Sequence, residues 1–103
     1  RQLTAACSDG SRGVIGGGDI SPGATNQMDY IAISTTGNAR DFGDLSQARG
    51  YFTCCANGIR GTWLGGNPVL DAIDYVTINT IGNATDFHNL TQGRRSSAGA
   101  SGD

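Results

Sequence analysis

The sequence predicts an all-β fold made of tandem four-stranded antiparallel units, and three observations carry that expectation. Its charges come from seven Arg and nine Asp, with no Lys and no Glu, so two of the strongest helix formers are missing. Seventeen of the 103 residues are Gly, which suits turns and closely approaching strands better than helices. Finally, the chain repeats itself.

Residues 28–49, MDYIAISTTGNARDFGDLSQAR, fall on residues 73–94, IDYVTINTIGNATDFHNLTQGR, and twelve of the 22 positions are identical. Among them are Asp29/Asp74, Tyr30/Tyr75, Gly37/Gly82, Asn38/Asn83, Asp41/Asp86, Phe42/Phe87, Leu45/Leu90 and Arg49/Arg94. Upstream the offset of 45 becomes 48, pairing Cys7 with Cys55, Arg12 with Arg60 and Gly17-Gly18 with Gly65-Gly66. The difference falls in DISPGATNQ, which the second copy shortens to NPVLDA, as a surface loop tolerates. The alignment divides the chain into one unit at 1–48, a second at 49–93 and the start of a third at 94–103. Because terminal repeats are usually atypical, this reads as a window on a longer array, and a first residue of Arg1 fits that reading.

Each unit is expected to hold four strands. The first is Leu3 to Cys7, or Tyr51 to Cys55, and it leads through the turn SDGS or ANGI into the second, Arg12 to Gly17 or Arg60 to Gly65. The third, Asp29 to Thr35 or Asp74 to Thr80, alternates Ile31 and Ile33 on one face with Tyr30, Ala32 and Ser34 on the other. A Gly37-Asn38 or Gly82-Asn83 turn, tolerant of positive φ, then enters the fourth, within Ala39 to Ala48 or Ala84 to Gly93.

Four strands in 45–48 residues, with a Gly doublet closing the second, is the arithmetic of a propeller blade. On RGVIGGG and RGTWLGG, each followed by the aromatic of a DY pair, the chain resembles kelch-type repeats, which implies a kelch-like β-propeller segment with four-stranded antiparallel blades. The later Trp of a kelch blade is absent, and Phe42 and Phe87 are expected in a comparable packing role. Stacked blades need apolar residues on both faces, here Val14, Ile15, Ile31, Ile33, Phe42 and Leu45, with Trp63, Leu64, Val76, Ile78, Phe87 and Leu90. Gly16, Gly17, Gly18, Gly65 and Gly66 are expected where backbones approach closely. Arg12, Arg60, Asp29 and Asp74 are charges set in apolar strand sequence, so each Arg is expected to bond an Asp or backbone carbonyls within or between units. The rival role for these Arg residues is lining a channel for an anionic ligand.

Other chemistry finds few residues to carry it. No apolar run approaches the ~20 residues of a membrane span, and seven Arg dispersed along a chain of net charge −2 make no nucleic-acid stripe. A phosphate loop needs a lysine the chain lacks. No GxSxG and no recurring Ser, His and acid grouping is present; one histidine, His88, cannot supply a copper set, and the three cysteines, with no CxxC and that histidine far off in sequence, are not spaced as a zinc site. His88 replaces Gly43 of the other copy and is expected in an exposed turn. Cys7, Cys54 and Cys55 are expected as small buried hydrophobes on strands, with a disulfide framework as the lesser reading. Asn38, Asp41 and Asp44 form an oxygen-rich segment of the kind that holds Ca²⁺, against which stands the ordinary use of Asn and Asp in capping turns. No cofactor is expected.

The block DYIAISTTGNARDFGDLSQAR resembles the tandem repeats of large tail-fibre and other virion-associated proteins of bacteriophages, especially marine ones. That resemblance implies a non-enzymatic structural and binding module, extracellular on the virion, with a host surface glycan or protein as partner. The loops that differ between copies, Asp19 to Gln27 and Asn67 to Ala72, are the expected contact region, with Asp19, Ser21, Asn26, Gln27, Asn67 and Asp71 as its polar residues. The alternative is a self-assembling protein whose two-unit chains join identical subunits into a ring or filament. A polysaccharide-degrading tail protein is the third reading.

Overall fold

The computed structural model describes residues 4–20, 23–67 and 69–94. They form two four-stranded antiparallel sheets and, among the described residues, no helix. The first sheet runs in chain order through β1 (Ala5–Ser8), β2 (Arg12–Gly16), β3 (Gln27–Ala32) and β4 (Arg40–Asp44). The second repeats that order through β5 (Thr53–Ala56), β6 (Arg60–Leu64), β7 (Leu70–Thr77) and β8 (Thr85–Arg94).

The turns follow from single side chains. Between β1 and β2 the Asp9 carboxylate accepts the N–H groups of Ser11 (2.9 Å) and Arg12 (2.8 Å). Between β5 and β6 the Asn57 amide oxygen does the same for Ile59 (3.0 Å) and Arg60 (2.8 Å). The Ser11 and Arg12 bonds hold the Asp9 carboxyl below its ordinary pKa. A carboxyl so lowered stabilises its turn above the unfolded-state value, about 3.9, and loses that effect as pH falls through the lower folded value. Amide exchange at Arg12 should therefore speed up in acid beyond its intrinsic trend, while the Arg60 amide, held by an uncharged Asn57, should not.

The third strands differ most from expectation. β3 starts at Gln27 and stops at Ala32, where Arg12 opens the ladder with β2, so Ile33 lies outside the strand although its N–H still reaches Ser11 O (2.9 Å). β7 begins at Leu70 because the longer β8 supplies Arg94 as its cross-strand partner. Both β3–β4 and β7–β8 carry a bulge at the matched place, after Met28 and after Ile73. A bulge adds a residue to one strand and turns its neighbours. Here the extra residues are Phe42 and Phe87, whose rings stand edge-on to Tyr30 and Tyr75 at 5.9 and 5.8 Å.

The core lies between the sheets. Val14, Met28, Phe42 and Leu45 from the first unit meet Trp63, Val76 and Ile78 from the second, with Phe52 from the connecting segment. Gly16 lies under the Trp63 indole, so close that an added Cβ would stand 3.2 Å from its Nε1. Gly17 adopts φ +60° with Arg49 O only 2.7 Å from where a Cβ would sit, a place for glycine on both counts. The sequence assigned apolar duty to both faces of both sheets, and here the structure parts the copies. Val76 and Ile78 are buried while Ile31 and Ile33, their counterparts, are exposed, and Phe42 is buried while Phe87 is exposed. Each sheet is covered on the side that meets the other.

Candidate functional site

The most organised polar constellation is the seam between the sheets. After β4 the chain has left the ladder, and Leu45 N–H and Arg49 N–H donate to Asn26 O (2.7 Å) and Thr25 O (3.3 Å) of the loop before β3. This anchors the segment so that Arg49 points into the second sheet. Its guanidinium donates to Gly65 O (2.9 Å), Ala72 O (3.2 Å) and the Asp74 carboxylate (2.8 Å), with both side chains fully buried. Asp74 also accepts Ser46 N–H (2.8 Å) and the Ser46 hydroxyl (2.7 Å). Burial pushes the guanidinium below its ordinary pKa and the Asp74 charge acts in the opposite sense. Arg49 Nε is the one buried side-chain polar atom without a partner among the described residues.

Two further ties cross the seam. Trp63 Nε1 donates to Ala5 O (3.2 Å), and Arg12 donates to Ile78 O (3.1 Å). At the edge of β4, Gly82 N–H reaches Phe42 O (2.9 Å), Ala84 N–H reaches Asp44 O (2.8 Å), and the Asn83 side chain accepts Asp44 N–H (3.0 Å). The Gly-Asn turn of one unit thus covers the outer strand of the preceding one. At this edge a Cβ on Gly43 would run into Gly82 O, so the position leaves no room for a side chain.

The residues singled out from sequence distribute as follows. Arg12 and Arg60 stack on Tyr30 and Tyr75 at 4.4 and 4.3 Å from the ring centres, and Asp74 bonds Arg49 rather than Arg60. Gly17, Gly18, Gly65 and Gly66 are buried beside Arg49 and the last residue of β8, Gly18 N–H donating to Arg49 O (2.7 Å) and Gly66 N–H to Arg94 O (2.8 Å). Asp29 is half-buried and accepts from the Gln27 side chain (3.1 Å). In the loops, Asp19 bridges to Ala24, Asn26 O serves Leu45, Asn67 N–H donates to Gly50 O (2.7 Å), and Ser21 lies outside the described residues. Gln27 and Asp71 sit on β3 and β7, not in loops. Exposed apolar residues flank these loops, Ile20 in one and Val69 in the other.

Asn38, Asp41 and Asp44 are all exposed, and no group of three His, Cys, Asp or Glu suited to a metal ion occurs among the described residues. His88 is exposed as expected but stands on β8 opposite Ile73, as its counterpart Gly43 stands on β4 opposite Met28, so the position belongs to the outer strand rather than to a turn. The cysteines are free and half-buried, a correction to the fully buried reading: β1 and β5 meet at the sheet edges, where their side chains are only partly covered. Hydrogen bonding to Cys54 together with burial raises the Cys7 thiol, and the same bond holds Cys54 down, while Cys54 Sγ also contacts Ala6 O. Cys55 Sγ lies 3.0 Å from Thr62 Oγ1.

No protein-family model matches the chain, and no curated protein matches it.

Proposed function

We propose that the chain is a non-enzymatic structural and binding module of the kelch-like propeller type, carried on a virion appendage such as a phage tail fibre. Its loops before the third strands would contact a host surface glycan or protein. The observation that carries this reading is the repeated sheet with its buried Arg49–Asp74 link, a frame within which the copies differ in length at the segments 19–27 and 67–72. Loops that vary on a constant frame are where recognition concentrates. Ile20 and Val69 supply exposed apolar surface among Asp19, Asn26, Asn67 and Asp71, and protein ligand sites combine apolar surface with a few placed polar groups.

The test is binding of the chain to immobilised bacterial lipopolysaccharide and capsular polysaccharide by surface plasmon resonance. Ile20→Asp and Val69→Asp should each weaken binding at least tenfold without moving the unfolding midpoint. Unchanged binding in both variants would sink the loop assignment, and release of free sugar on incubation would overturn the non-enzymatic reading.

A further inference from the structure

The three cysteines are free thiols, and two of them meet across the seam. Cys7 stands opposite Val14 in the β1–β2 ladder and Cys54 opposite Trp63 in the β5–β6 ladder, so each shares the sheet face of a buried core residue. Both pack against the core between the sheets. The Cys7 side chain crosses to the second sheet, where a Cβ added to Gly61 of β6 would run into its Sγ. Cys54 crosses the other way, its Sγ touching the carbonyl oxygen of Ala6, the residue before Cys7. Between the two, the Cys7 S–H donates to the Cys54 sulfur.

The third thiol is turned away. Cys55 follows Cys54 on β5 and so points to the opposite face, where its Sγ lies 3.0 Å from Thr62 Oγ1. Strand alternation thus leaves one pairing within the chain, Cys7 with Cys54. The repeat marks the same residue as an addition: Cys55 is the counterpart of Cys7, whereas Cys54 stands where the first unit has Ala6.

We infer that Cys7 and Cys54 are a modification site, which a small-molecule disulfide such as glutathione disulfide oxidises to a bond joining β1 to β5, a second fastening of the units besides the Arg49–Asp74 pair. Cys54 reacts first. The hydrogen bond from Cys7 holds its thiol below the ordinary value against the opposing effect of burial, and both residues are only half-buried. The Cys54 thiolate attacks one sulfur of the external disulfide, whose S–S bond breaks and releases one glutathione thiolate, which takes up a proton. The hydrogen bond that had held the Cys7 thiol up is then lost. Cys7 gives its proton to water and attacks the Cys54 sulfur of the mixed disulfide, releasing the second glutathione. Two protein thiols are oxidised and one external disulfide is reduced to two thiols. The new bond closes the whole first sheet into one covalent loop and so constrains the unfolded chain over a long stretch.

Incubation of the chain with excess glutathione disulfide, followed by thiol titration in denaturant and mass spectrometry of tryptic peptides, tests this. One titratable thiol of the three should remain. The peptide ending at Arg12 should be joined to peptide 50–60, and the product should keep the mass of a single chain. Its unfolding midpoint should lie about 10 °C or more above that of the reduced chain, and dithiothreitol should reverse the shift. Cys54→Ala, which installs the residue of the other copy, should lose the bridge while changing the reduced midpoint little, and Cys55→Ser should keep the bridge. Thiols that stay titratable or end as glutathione adducts, a bridge that survives Cys54→Ala or vanishes in Cys55→Ser, a bridge between two chains, or a midpoint that does not rise on oxidation would each overturn the inference. None of these readouts involves glycan binding, so failure here is distinct from failure of the loop assignment.

Discussion

Asp74→Ala is expected to be the most damaging single substitution in the chain, lowering the unfolding free energy by about 3–5 kcal/mol. The carboxylate is fully buried and answers a fully buried guanidinium at 2.8 Å. Removing it strands the Arg49 charge, whose remaining partners are the carbonyls of Gly65 and Ala72, and leaves Ser46 without its acceptor. An uncompensated buried ion costs far more than the pair contributes when intact. Arg49→Met should cost less, because the aliphatic replacement fills the space and Asp74 keeps the two Ser46 donors. At the repeated positions, Arg94→Met, which changes an exposed side chain, should stay within about 1 kcal/mol, and Asp29→Ala, which removes a half-buried carboxylate bonded to the Gln27 side chain, should cost less than Asp74→Ala. Urea unfolding at dilute concentration reads all four. A ranking that does not separate position 74 from position 29 would mean the seam contributes little.

Trp63→Ala should follow closely, at about 3–5 kcal/mol. Trp63 is the largest fully buried side chain among the described residues; its indole covers Gly16, shares the core with Met28 and ties to Ala5 O. Deleting it opens a cavity that neighbouring strands, held in their ladders, can refill only in part. The counterpart in the first unit is Ile15, half-buried on the side that no sheet covers among the described residues, so Ile15→Ala should cost roughly half as much or less, since it gives up only part of a burial. Thermal unfolding followed by circular dichroism separates them, because about 1 kcal/mol moves the midpoint of a domain this size by some 4–8 °C.

The strand order was legible because the internal match, at an offset of 48 and then of 45, lays each strand pattern of one unit on its counterpart, and Asp9 and Asn57 mark the same turn in both copies. Burial was not, because it depends on what lies beside a sheet. Ile31 and Val76 occupy one position in the repeat, yet only Val76 has a sheet packed on it. The same limit applies to Phe42 and Phe87, whose stacking on Tyr30 and Tyr75 is equal and whose exposure is not. Strand ends shifted for a related reason: β7 lengthened to meet Arg94, a cross-strand fact no local pattern carries.

The seam itself was the larger omission. Arg12 and Asp29 drew notice because they interrupt apolar strands, whereas Arg49 follows β4 in a stretch without alternation. Its signal was present in another form. Arg49/Arg94 and Asp29/Asp74 recur as identities and Ser46/Thr91 recurs as a hydroxyl, and a charged pair with a shared donor, kept together across copies, points to one network. Geometry was needed to show that the network joins successive units rather than lying within each.

The central claim is that successive units are fastened through Arg49 and Asp74, and a double-mutant cycle on these residues, read by urea unfolding of the dilute monomer, tests it most directly. Arg49→Met, Asp74→Ala and the double variant should give a coupling of roughly 1–3 kcal/mol, with the double variant more stable than Asp74→Ala alone, because removing the stranded guanidinium relieves its burial. A coupling within about 0.5 kcal/mol of zero, with the two losses simply adding, would contradict it.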